Sequence, residues 1–107
     1  MKIPKSLKVG GIIYKIEKKR VLDKGENKFS GVAKHRQAII KIALYDNEGE
    51  LYDKRKLEEC FIHEILHCVD DIYNNQKLDE DMVERLSQGL YQVLKDNKLL
   101  VDFHKEG

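Results

Sequence analysis

Two kinds of periodicity divide the chain near residue 50. Before that point the apolar positions follow the two-residue period of strands. Ser6-Leu7-Lys8-Val9 and Ile12-Ile13-Tyr14-Lys15-Ile16-Glu17-Lys18 flank Gly10-Gly11, a two-residue glycine turn that favours a hairpin. A second pair follows, Phe29 to Lys34 and Ala38 to Leu44, joined by His35-Arg36-Gln37. Between the pairs, Asp23-Lys24-Gly25-Glu26-Asn27-Lys28 reads as a polar loop, and Asp46-Asn47-Glu48-Gly49 closes the region with turn residues.

From about Asp53 to Asn74 the period becomes helical. Leu57, Phe61, Ile65, Cys68 and Ile72 recur at three- and four-residue intervals and form one apolar face. Asn74-Asn75-Gln76-Lys77 breaks the pattern. A second helix is predicted from the N-cap Asp79 to Asn97, with Val83, Leu86, Leu90, Val93 and Leu94 toward the core. Leu99-Leu100-Val101-Asp102-Phe103 fits either a terminal strand or an apolar tail. The expected fold is α+β in one domain, residues 1–107. A small antiparallel sheet of N-terminal hairpins fills a strand-rich half, 1–50, and two helices fill the half from 51 to 107.

Composition narrows the function classes. The 107 residues are 41% apolar and 36% charged, room for one modest core. No run approaches the ~20 apolar residues that span a bilayer, so no membrane role is expected. The 20 basic and 19 acidic residues are interspersed and net charge is +1, which gives no electrostatic footprint for nucleic acid. Lys15 to Arg20 is locally basic and reads as a solvated strand end. No apolar stretch of the kind found in secretory signals follows Met1-Lys2-Ile3-Pro4, so a cytoplasmic address is expected. Cys60 and Cys68, ~12 Å apart along the predicted helix, cannot pair with each other. Free thiols suit a reducing compartment. Cys68 is expected in the core. Cys60 lies three residues before His63 and is expected as a half-buried small residue, with an approach to a metal as its other reading.

The chemistry concentrates in His63-Glu64-Ile65-Leu66-His67, which spells HExxH within the first predicted helix. Histidines four apart on a helix lie nearly above one another, Cβ atoms ~6 Å apart, and two imidazoles can then share one zinc ion at ~2.0–2.1 Å each. Glu64 is expected on the same exposed side, within reach of a water at the ion, where a general base is needed. A catalytic zinc needs a third protein ligand and an open fourth position. The second helix offers Glu80 and Glu84. Glu80 lies nearer that helix's apolar side, which favours it; the distance back to the level of the histidines in a simple antiparallel hairpin favours Glu84.

The motif, followed closely by a helix reading Glu80-Asp81-Met82-Val83-Glu84-Arg85-Leu86-Ser87, resembles the minimal gluzincin zinc peptidases. Asp79 to Val83 and Leu90-Tyr91-Gln92-Val93-Leu94-Lys95-Asp96-Asn97 are similar to small metallopeptidases encoded by bacteriophages and prophages, which would make the bacterial host cytoplasm the address. The resemblance implies one Zn2+, His63, His67 and Glu80 as ligands, and Glu64 as catalytic base. It also implies Glu84 as the carboxylate orienting a ligand histidine, at a position where relatives carry Asp or Asn. A peptide or protein substrate lying along an exposed sheet edge follows from it too. Such enzymes also use a Tyr or His toward the oxyanion; Tyr73, Tyr91, His35 and His104 qualify by residue type, although His35 and His104 are otherwise expected as exposed polar residues.

Two other classes compete. A catalytically silent relative would keep zinc as a structural staple, with Cys60 as the extra ligand, and act by binding a partner protein; an intact Glu64 weighs against it. A helical interaction module with a chance HExxH would need no metal. Nothing in the pattern sets the oligomeric state.

Overall fold

The computed structural model describes residues 2–22 and 30–100. The polar loop from Asp23, the first residue of the second hairpin at Phe29 and the tail from Val101, with His104, lie outside the described residues. Four strands, β1 (Ser6–Val9), β2 (Ile12–Lys19), β3 (Gly31–Lys34) and β4 (Ile39–Ala43), precede two helices, α1 (Lys54–Tyr73) and α2 (Glu80–Asp96). The architecture is α+β. No helix among the described residues is long and apolar enough to cross a membrane.

Both hairpins form, β1 with β2 and β3 with β4. Gly10 takes a φ of +57° at the first turn, and a Cβ there would come within 2.7 Å of the Ile72 side chain, so the turn needs glycine for both backbone and space. The sheet order is β1-β2-β4-β3, with β2 and β4 parallel. The sheet is therefore mixed, not antiparallel throughout. The reason lies in the strands themselves. β4 carries Ile40, Ile42 and Ala43, all buried, and takes the central place where both edges are paired; β3, Gly-Val-Ala-Lys, is left at the edge. That edge strand lies beside α1, and its position shapes the site below.

The core joins Tyr14, Ile16, Ile40 and Ile42 of the sheet to Phe61 and Cys68 of α1, with Leu57, Ile65 and Ile72 packed around them, so the expected apolar face of α1 does turn inward. α2 buries Val83 as expected and otherwise departs from expectation. Its buried residues are Val83, Ser87 and Tyr91, whereas Leu86, Leu90 and Val93 are 53%, 45% and 54% exposed. Adjacent residues on a helix differ by ~100°, so the choice of Ser87 over Leu86 rotates the whole element. Polar anchors outweigh the leucines here. The Tyr91 hydroxyl, fully buried, donates to Glu58 Oε1 at 2.6 Å, itself buried on α1. The same rotation turns Glu80 and Glu84 toward the histidines.

Each helix starts on an aspartate cap: Asp53 accepts from the Lys56 amide and Asp79 from the Met82 amide, both at 2.8 Å. The turn between the helices is organised by Asp70. Its buried carboxylate accepts from Asn74 Nδ2 at 2.8 Å and from the Leu78 amide at 3.2 Å, while Asn75 and Gln76 reverse the chain with φ near +55°. Leu78 is thereby back at the level of Asp70, and Glu80, two residues on, arrives beside His67 and His63. This removes the geometric objection to Glu80: the chain has already stepped back before α2 begins.

Candidate metal centre

His63 and His67 stand one helical turn apart on α1, their ring centroids separated by 4.9 Å. The Glu80 carboxylate bridges them from the first turn of α2, Oε1 at 2.7 Å from Nε2 of His63 and Oε2 at 2.9 Å from Nε2 of His67. One donor atom from each of the three lies within 4.8 Å of the others, a set that can hold a metal ion. Two imidazole nitrogens and one carboxylate suit a borderline cation such as zinc and leave a coordination position over. Glu84 sits elsewhere. Its Oε2 is 3.0 Å from Nδ1 of His63, on the far side of the ring from the cluster, with Ser87 Oγ 3.4 Å from the same nitrogen. An Nδ1–H donated to that carboxylate leaves Nε2 as the free lone pair facing Glu80. Burial holds His67 below the usual imidazole range, which favours the neutral, ligating form.

Glu64 was expected on an exposed side; instead it is only 4% exposed. The edge strand covers it. At Gly31 an added Cβ would sit 2.6 Å from Cys60 Sγ and 3.2 Å from Glu64 Cγ and Oε2. Burial first, then the Glu80 and Glu84 carboxylates, push the Glu64 carboxyl up to about 8. Gly31→Ala is expected to destabilise the protein by about 1–3 kcal/mol through overpacking, read by chemical denaturation. Adding Cys60→Ala should recover part of the loss, and no recovery would mean the strain lies elsewhere.

The raised Glu64 sets a pH dependence in the metal-free protein. A carboxyl whose folded pKa exceeds its unfolded value binds more protons when folded. Its contribution to stability is complete below about 4.5 and lost as pH rises through about 8. The depressed His67 acts in the opposite sense, so the readout is the difference between wild type and Glu64→Gln. In chelator, that difference in urea midpoint should shift steadily against wild type between pH 5 and 8. A constant difference would show that Glu64 does not titrate in this range.

Cys60, expected half-buried, is buried; it accepts from Ser30 Oγ at 3.5 Å, and burial pushes its thiol up to about 11. It lies outside the three-residue cluster, and a neutral thiol is a poor ligand. Cys68 is core, as expected. Tyr73 is exposed, and Tyr91 is committed to Glu58. His35 was underestimated. It is half-buried in the β3–β4 turn, its Nδ1 3.1 Å from the hydroxyl of fully buried Tyr14 and 3.7 Å from Asp71 Oδ2. It lines a cleft of about 190 Å³ together with Ala33, Glu64, His67 and Glu80. The sequence signals for it are its residue type and its place after a strand that the structure puts at the sheet edge.

Fold and site together define a small α+β domain with a His/His/Glu candidate metal centre set beneath a sheet edge. No protein-family model, characterised protein or solved structure matches the chain.

Proposed function

We propose that this protein is a zinc-dependent peptide hydrolase in which His63, His67 and Glu80 hold one ion, Glu84 orients His63, and Glu64 is the catalytic base. The observation that carries the reading is the Glu80 carboxylate bridging the two Nε2 atoms, with a second, buried carboxylate on the intervening Glu64. Bound zinc would supply a Lewis acid for a carbonyl and lower the pKa of water toward ~7. Glu64 takes the proton of the attacking water and delivers it to the leaving amine. It is buried under Gly31 in the cleft that it shares with His67 and Glu80.

β3 is an edge strand of the sheet among the described residues, and its Gly31, Val32 and Ala33, which line the cleft beside Glu64 and His67, offer backbone groups to an extended peptide. His35, held by Tyr14, faces the same cleft and is the donor offered to the developing oxyanion. His35→Ala should then lower kcat by about 10²-fold with little change in KM; a change confined to KM would assign it to substrate binding instead.

The deciding experiment measures the metal content of the tag-free protein by mass spectrometry and then peptide-library cleavage before and after chelation. About one zinc per chain and cleavage restored by zinc are expected. Zinc without cleavage would favour a silent, partner-binding protein, and no zinc even after supply would remove the centre.

A further inference from the structure

The candidate centre lies between two clefts. One, described above, shares Glu64, His67 and Glu80 with it. The other, about 260 Å³, shares His63 and Glu80 and continues past Glu84 to Tyr52, Lys56 and Glu59. A peptide crossing the centre enters both. We propose that this second cleft is a carboxylate-binding subsite, in which Lys56 and Tyr52 hold an acidic side chain or the free C-terminal carboxylate of a peptide. The proposal rests on the hydrolase reading, because that reading puts a peptide there.

The carboxylates of the cleft wall already have partners. Glu59 accepts from Arg55 Nε at 3.3 Å. Glu84 is engaged by His63 Nδ1 at 3.0 Å and by Gln88 Nε2 at 2.8 Å. Glu80 bridges both histidines. Ser87 donates to the Glu84 carbonyl at 3.0 Å. Lys56 and Tyr52 both line the cleft, and among the described residues the Lys56 ammonium and the Tyr52 hydroxyl have no hydrogen-bond or ion-pair partner. The donors left uncommitted on the wall thus include a cation and a hydroxyl, which together match a carboxylate. Lys56 precedes His63 by two helical turns on the same face, ~10.5 Å along the axis. An extended peptide covers that distance in about three residues at ~3.3 Å each, and in fewer when a long acidic side chain and the lysine reach toward each other.

Binding is measured to the zinc-loaded Glu64→Gln protein, so that turnover does not intervene. The probes are fluorescently labelled alanine pentapeptides: three with blocked C-termini and a central Glu, Gln or Lys, and one all-alanine with a free C-terminal carboxylate. The Glu or the free-carboxylate peptide should bind about tenfold more tightly than the Gln peptide, and which of them does so identifies the source of the carboxylate. Adding Lys56→Gln should reduce the preference to less than twofold while zinc content and Gln-peptide affinity stay unchanged. Lys56→Glu should turn the preference toward the Lys peptide. Equal binding of all four peptides overturns the subsite, as does a preference that survives Lys56→Gln, which would mean the ion itself holds the carboxylate. Wild-type cleavage measured in parallel separates the two readings. Carboxylate preference without hydrolysis keeps the subsite and removes the peptidase; hydrolysis without preference removes the subsite alone.

Discussion

Glu64→Gln is expected to leave the protein folded, keep its zinc near one equivalent and lower peptide turnover by about 10²–10⁴-fold. Gln is nearly isosteric with Glu, so the packing under Gly31 is preserved, and the amide cannot accept a proton. Stability should not fall, since the substitution replaces a carboxyl whose ionisation burial already opposes. The measurement is kcat/KM on a cleaved library peptide beside metal content by mass spectrometry. Unchanged turnover with full zinc would remove Glu64 from the chemistry. Loss of zinc would instead mean that this carboxylate helps hold the ion.

The second large effect separates the two glutamates of α2. Glu80→Ala deletes the group that spans both Nε2 atoms, and zinc affinity should fall by more than ~10²-fold. Glu84→Ala removes the partner of His63 Nδ1 and of Gln88 but no group facing the Nε2 atoms, and a loss of ~10–100-fold is expected. Competition with a chromophoric chelator ranks the two directly. The reverse order would transfer the ligand role to Glu84 and make Glu80 an incidental neighbour. Ser87 offers an internal comparison. Its hydroxyl is 3.4 Å from the same Nδ1, a contact at the long limit of a hydrogen bond, so it is a weak substitute for the Glu84 carboxylate.

The pieces of this molecule that are governed by neighbours along the chain were legible in its sequence. Both hairpins follow from apolar alternation around their turns, the first reversed by two glycines, and the inward face of α1 from Leu57 to Ile72 follows from its helical period. The one-turn proximity of His63 and His67 follows from a spacing of four, whatever surrounds it. These are properties of one strand pair or one helix, and one stretch of sequence suffices to set them. The relations between elements were decided by the tertiary structure. The apolar pattern of α2 placed Val83 in the core correctly but not Leu86, Leu90 and Val93, because the buried bond from Tyr91 to Glu58 and the pull of Glu80 and Glu84 toward the histidines orient that helix at their expense. Parallel pairing of β2 with β4 sent β3 to the edge, and only then could Gly31 roof Glu64 and His35 enter a cleft. The arrival of Glu80 at the histidines depends on Asp70 drawing Leu78 back along α1, a contact eight residues long that no periodicity encodes. Local spacing brings two histidines together at no long-range cost; setting Glu80, Glu84 and the buried Glu64 around them requires packing between elements, where buried polar partners weigh as heavily as apolar area.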